Sequence, residues 1–238
     1  MSHWESLLAV QAHDTRADQL THRLESLPER ARLTELGAAI AEVDGQIATV
    51  DQRRGELSRS QARLEDEVAS LTERANQAEK QLYSGAVSSP RELQVLQDDV
   101  ASIRRRIGQI EDDELEIMEL SEPVDAQRAT LAAQREALEA DSQQVTAALA
   151  EAESTIAAER AEVQAEREAA AADVPDELWA EYDTLRAQLG GVAIARLVGS
   201  TCQGCHLGLS AVEVDRIRKL SPDEPVHCEE CGRLLVRD

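Results

Sequence analysis

The stretch QLYSGAVSSPRELQ, residues 81–94, lies between two long runs of heptad-spaced apolar residues and carries the signals that stop one helix and start another. Gly85 suits the left-handed conformation in which helices commonly end. Ser89, Pro90 and Glu92 then fit the N-cap, first and third positions of a new helix, so Ser89 and Glu92 can form a capping box. The punctuation predicts a tight turn, with its tip at about residues 83–90, between two helical arms.

Working back from the turn, Leu33, Leu36, Ile40, Val43, Ile47 and Val50 step by three and four. The frame continues through Leu57, Leu64, Val68, Leu71, Ala75, Ala78 and Leu82, interrupted by Arg54 and Gln61. Working forward, Leu93, Leu96, Val100, Ile103, Ile107, Ile110, Ile117, Val124, Leu131, Leu138, Val145 and Leu149 form a second series, which fades through Ala152 and Ile156 to Val163. A 3.5-residue apolar repeat sustained this long is a coiled-coil seam. Two nearly equal arms around one tight turn favour an antiparallel hairpin within one chain over a parallel dimer. Pro28 coincides with a slip in the first frame and predicts a break there. Pro123 leaves the second frame unshifted, so a kink is expected. Arg54, Glu114, Ser121, Arg128 and Arg135 fall on seam positions, where polar residues fix register or reach out to solvent; a strip for partner binding is the sharper reading.

Beyond the arms the character changes. Pro175 opens a short amphipathic helix with Leu178, Trp179, Tyr182 and Leu185 on one side, Gly190 and Gly191 stop it, and VAIARLV (192–198) reads as a strand. Trp179 and Tyr182 are expected to pack the joint between hairpin and tail. The domain expectation is a hairpin over 1–173, a joint helix and linker over 174–191, and a compact tail over 192–238.

All four cysteines lie in that tail, as Cys202 and Cys205, then Cys228 and Cys231. Two C-x2-C turns can aim four sulfurs at one centre, the tetrahedral set that zinc prefers. Between them LSAVEVDRIRKL (209–220) carries a capping box, Ser210 with Glu213, and a staple of Leu209 on Val214, which predicts a short helix. Gly232 permits the turn after the second pair, and RLLV (233–236) reads as a closing strand. Four thiolates fill the zinc shell and leave no position for a water, so one structural Zn2+ is expected, stabilising a fold too small to hold itself together by apolar burial. Iron in a rubredoxin-like carrier is the alternative metal, weakened by the absence of aromatics from residues 183–238. His206 and His227 flank the cysteines and read as neighbours of the ligand set or as surface groups.

The chain has 238 residues, 2% aromatics, 30% charged residues and a net charge of −22, the composition of long helices and not of a large globular core. Such acidity repels phosphate backbones and anionic membranes, apart from a local basic patch. The opening MSHWESLLAV has neither a basic leader nor a long apolar segment. The expectation is a cytoplasmic protein without membrane association, in which paired cysteines are metal ligands and not structural disulfides. His3, His13 and His22 join no nucleophile or carboxylate motif, and neither an enzyme nor a small-molecule substrate is expected.

With its LYSG…SPREL tip, followed by CxGC and CxxCGRxL, the chain resembles the bacterial coiled-coil-hairpin proteins with a C-terminal C4 zinc ribbon. The resemblance covers essentially the whole chain. It implies a mainly α fold, a long antiparallel coiled-coil hairpin followed by a small ribbon of β-strands and a short helix. It implies zinc on Cys202, Cys205, Cys228 and Cys231. Members carry a nucleic-acid-binding label, and some act through protein partners in transcription or surface-appendage assembly. The footprint for nucleic acid is Arg216, Arg218, Lys219 and Arg233, with Arg196 and Arg237 nearby. Residues 196–238 nevertheless hold seven acids against these six cations and offer no aromatic for base stacking. The favoured expectation is a zinc-binding adaptor that recognises protein partners; the alternative is DNA or RNA binding through the ribbon.

Overall fold

A computed structural model describes residues 2–237. Two long helices form a hairpin, and a small sheet with a short helix follows. Helix α1 spans His3–Glu25, α2 Pro28–Tyr83, α3 Pro90–Ala171 and α4 Asp176–Gln188. Strand β1 spans Ile194–Val198, β2 Thr201–Cys202 and β3 Leu234–Arg237, with α5 at Ala211–Lys219 between the last two strands.

The punctuation acts where the sequence places it. Helix α1 ends before Pro28, and the Ser26 hydroxyl turns back onto the His22 carbonyl at 2.8 Å. Gly85 is left-handed at φ +73°, and the Ser89 carbonyl accepts from the Leu93 N–H at 3.0 Å as the next helix begins. Helix α3 runs through Pro123 as one element.

The chain divides into two compact units, residues 32–145 and residues 1–31 with 146–238. In the first, Val43 and Val50 from α2 are buried with Leu131 from α3, joined by Ile47, Val124 and Leu138. Three cross-helix ion pairs mark the register: Asp44 with Arg135 at 2.6 Å, Asp51 with Arg128 at 3.3 Å, and Arg54 with Asp125. A step of seven and then three along α2 is matched by the same steps back along α3, as an antiparallel heptad pairing requires. These pairs are half exposed and solvent-screened, so each contributes little to stability. Burial of the apolar layers holds the helices together, and the pairs select their alignment. Gln61 and Ser121 line a solvent-open cavity of about 560 Å3 with Arg54 and Asp125, a polar gap in the seam.

In the second unit, Leu20 of α1 and Leu27 in the break after it pack with Ile156 and Val163 of α3. The sheet order is β2-β1-β3, with β1 antiparallel to β2 and parallel to β3. Successive residues of β1 and β3 face opposite ways. Ile194, Leu234 and Val236 bury against Trp4, Leu7 and Val10 of α1 and Leu178 and Tyr182 of α4. Ala195, Leu197 and Leu235 bury on the other side with Val214 and Ile217 of α5. Both faces are covered, which is why VAIARLV and RLLV are nearly continuous apolar runs and not alternating ones. No helix of the described residues is long and apolar enough to cross a membrane.

Candidate metal centre and the ribbon surface

Strand β2 carries Cys202, and a tight turn returns Cys205 beside it; Cys228 and Cys231 close a second turn that leads into β3. The turns share one geometry. The His206 N–H donates to the Cys202 carbonyl and the Gly232 N–H to the Cys228 carbonyl, both at 2.8 Å. The residue after each pair is left-handed, His206 at φ +62° and Gly232 at φ +72°. Glycine adopts this conformation at no steric cost, whereas histidine is held in it by the knuckle. Gly204 has a different reason to be glycine: a Cβ there would lie 2.7 Å from the Arg233 side chain and 3.0 Å from Ala195.

The four sulfurs converge, all within 4.8 Å of one another. Cys202 and Cys231 are 3.9 Å apart and Cys205 and Cys228 3.8 Å. Zinc–sulfur bonds of ~2.3 Å in a tetrahedron set the sulfur–sulfur edge at about 3.8 Å, so the donor set fits the ion. Without a cation the site resists ionisation of its most buried thiols. Burial pushes the Cys228 thiol up to about 12 and raises Cys202 as well. Burial also pushes Cys231 up, but hydrogen bonds from the Arg233 backbone and side chain, with Cys205 and Cys228, hold it down at about 7. Four thiolates this close need a cation among them, and a dication supplies it.

The six ribbon cations are mostly committed within the fold. Arg216 forks onto the buried carboxylate of Glu213, with its Nε at 2.8 Å, and holds that carboxyl below the usual range. Only half of the expected capping box therefore forms: the Ser210 hydroxyl accepts from the Glu213 N–H at 3.2 Å, while the Glu213 carboxylate is taken by Arg216. Lys219 pairs with Asp215 at 2.6 Å, and Arg196 forks onto Glu5 at 2.9 and 2.6 Å. Arg233 donates to the Val192 carbonyl at 2.9 Å. Arg237 donates to the carbonyls of Ile217, Leu220, Ser221, Pro222 and Glu224, closing the C-terminal end of α5. Arg218 alone of the six has no such partner among the described residues. By contrast Val198, Leu207 and Val212 are 49%, 50% and 82% exposed. His227 meets Glu181 at 2.8 Å through its Nε2, and His206 is exposed.

Below the ribbon is a polar hub absent from the sequence reading. Asp14 of α1 is buried and accepts from the Tyr182 hydroxyl at 2.7 Å and Arg167 Nε at 2.6 Å. Burial, then the bond to Asp14, keeps the Tyr182 phenol protonated far above its ordinary pKa. Buried Gln11 spans two backbone groups of the linker, donating to the Gly191 carbonyl at 2.8 Å and accepting from the Ala193 N–H at 2.7 Å. The Trp4 indole donates to the Pro222 carbonyl at 3.0 Å, and Arg167 lies 4.9 Å from the Trp179 ring centroid. The signal in the sequence was the stripe Trp4, Leu7, Gln11, Asp14, a helical core face whose last two positions are polar.

Comparison with known proteins agrees with this geometry. A CT398-like coiled coil hairpin domain model matches residues 10–190, and a C4-type zinc ribbon domain model matches residues 201–235. The uncharacterized protein Rv2229c of Mycobacterium tuberculosis is 30% identical over 232 residues, spanning 98% of this chain and 94% of its own length. A solved structure from Mycobacterium smegmatis superposes with a TM-score of 0.84 at 26% identity, covering 99% of this chain and 97% of that one. CT398 from Chlamydia trachomatis shares the fold, with a TM-score of 0.64 at 19% identity over 99% and 98% of the two chains. One structural zinc ion belongs to a ribbon of this type.

Proposed function

The chain belongs to the CT398-like coiled-coil hairpin family and ends in a C4-type zinc ribbon, and on that footing we propose that it is a cytoplasmic adaptor whose ribbon captures protein partners. Cys202, Cys205, Cys228 and Cys231 hold the zinc. When bound, the ion is a closed structural centre whose four thiolates leave no water to activate. The ribbon residues then do the recognising: Val198, Leu207 and Val212 present apolar side chains, and the hairpin serves as spacer and docking rod.

One observation carries this reading over nucleic-acid binding. Five of the six ribbon cations are already held by carboxylates or backbone carbonyls, while three large aliphatic side chains face solvent. A phosphate-binding face needs several uncommitted cations. Arg218 by itself makes a weak one.

The test is affinity capture from lysate of the native organism, with and without nuclease, using the intact chain and a Val198→Ser, Leu207→Ser, Val212→Ser variant. The same proteins should be retained with or without nuclease and lost with the variant. Retention that nuclease abolishes, or equal retention by the variant, contradicts the proposal.

A further inference from the structure

Along most of residues 32–145 the carboxylates of one helix meet arginines of the other, as in Asp44 with Arg135, Asp51 with Arg128 and Glu67 with Arg106. Over residues 111–122 of α3 this pattern lapses. The segment EDDELEIMELSE holds seven acids and no base, and none of the seven forms an ion pair among the described residues. In the same segment Leu115 is 57% exposed, Met118 47% and Leu120 53%.

Helical geometry makes a surface of these residues. Ile117 and Ser121 are half-buried on the seam side, so Leu115 points outward. Leu115 and Met118 are three apart and adjoin on the helix surface. Glu111 lies one turn before Leu115 and Glu122 one turn after Met118, so the stripe reads acid, Leu, Met, acid, with Glu119 along its flank. A lone exposed leucine needs no explanation. Two adjoining apolar side chains bracketed by unneutralised carboxylates are a different matter. Like charges at i,i+3 and i,i+4, such as Asp112 with Glu116 and Glu116 with Glu119, repel one another along the helix. An incoming cationic surface relieves that repulsion.

We propose that the outward face of α3 over residues 111–122 is a docking site for a basic amphipathic helix of a partner protein, whose apolar stripe covers Leu115 and Met118 while its Lys and Arg side chains meet the flanking carboxylates. This is the helix-on-helix mode of recognition, with charge selecting the partner. A second copy of this chain would bring acid against acid, and nucleic acid or an anionic membrane would be repelled. The site is separate from the ribbon surface, and the ribbon reading stands or falls independently of it.

The probe is a synthetic 18-residue amphipathic Leu/Lys helix, titrated by fluorescence anisotropy against the full chain at physiological salt, with a Leu/Glu helix of the same pattern beside it. The Leu/Lys helix should bind and the Leu/Glu helix should not. Leu115→Ala with Met118→Ala should weaken binding by about ten-fold or more. Glu111→Gln, Glu119→Gln and Glu122→Gln together should do the same. The charge-matched set Glu136→Gln, Glu151→Gln and Glu162→Gln should change it by less than about two-fold. All these positions are exposed, and circular dichroism checks that each variant keeps its helices. No binding of the Leu/Lys helix, equal losses from the two charge sets, or no effect of the apolar pair would overturn the proposal.

Discussion

Replacing Asp14 by alanine should destabilise the unit that carries the ribbon far more than any exposed acid does. The substitution strips the Tyr182 hydroxyl of its acceptor in a site where that side chain is fully buried. An unsatisfied buried hydroxyl costs about 1–3 kcal/mol. Arg167 and Arg186 also lose a partner, but their side chains are 22% and 28% exposed and stay partly solvated, so about 1 kcal/mol is added. The expected loss is about 2–4 kcal/mol. Asp18, paired with Arg186 from a 59% exposed position, should cost less than about 1 kcal/mol when replaced by alanine. The assay is urea unfolding followed by tryptophan fluorescence. The chain has two tryptophans, Trp4 and Trp179, and both pack in the cluster beside the hub, so the signal reports this unit. Tyr182→Phe should cost about 1–2 kcal/mol, and its double-mutant cycle with Asp14→Ala should show coupling of about 1 kcal/mol or more. Asp14→Ala matching Asp18→Ala, or additive effects in the cycle, would refute the hub.

The same phenol gives a pH dependence. Its pKa is raised in the fold, so the contribution is fully present below the unfolded value of about 10 and is lost as pH rises through the folded value; alkaline unfolding curves should show the loss, and Tyr182→Phe should flatten it. Gly204→Ala should destabilise the ribbon by about 1–3 kcal/mol and lower zinc affinity, because its Cβ meets Arg233 and Ala195, while Gly208→Ala, whose nearest contact is at 4.0 Å, should be tolerated; competition with a chromophoric chelator reads both. In the hairpin, Leu131→Ala should cost about 2–4 kcal/mol by circular dichroism melting and Arg135→Ala should leave the melt nearly unchanged, since buried layers and not exposed pairs supply the stability.

The hairpin was legible because its signals are local and repeated. The heptad frames, Gly85, and the two prolines at Pro28 and Pro90 each act within a few residues. The convergence of the four cysteines was legible because C-x2-C geometry leaves few alternatives. The parallel pairing of β1 with β3 was not, since it joins residues 40 apart in sequence through register alone. The burial of Trp4, Leu7 and Val10 against the ribbon sheet was equally hidden. Their helical stripe looks like any other coiled-coil face until Gln11 and Asp14 find the Ala193 N–H and the Tyr182 hydroxyl, partners 182 and 168 residues away. The pairing of two cationic residues was hidden for a related reason: composition counts Arg196 and Arg237 as available, and only the fold brings them to Glu5 and to the carbonyls after α5.

The central claim is that the sulfurs at the end of this chain serve a closed structural metal and not a reactive centre. Elemental analysis of protein purified without chelator, with thiol titration on the same sample, tests it most directly. The account predicts about one zinc per chain, four thiols protected until the metal is removed, and loss of the metal from Cys228→Ser with the long helices intact. Iron in place of zinc, or a metal-free protein with disulfides or four freely reactive thiols, would contradict it.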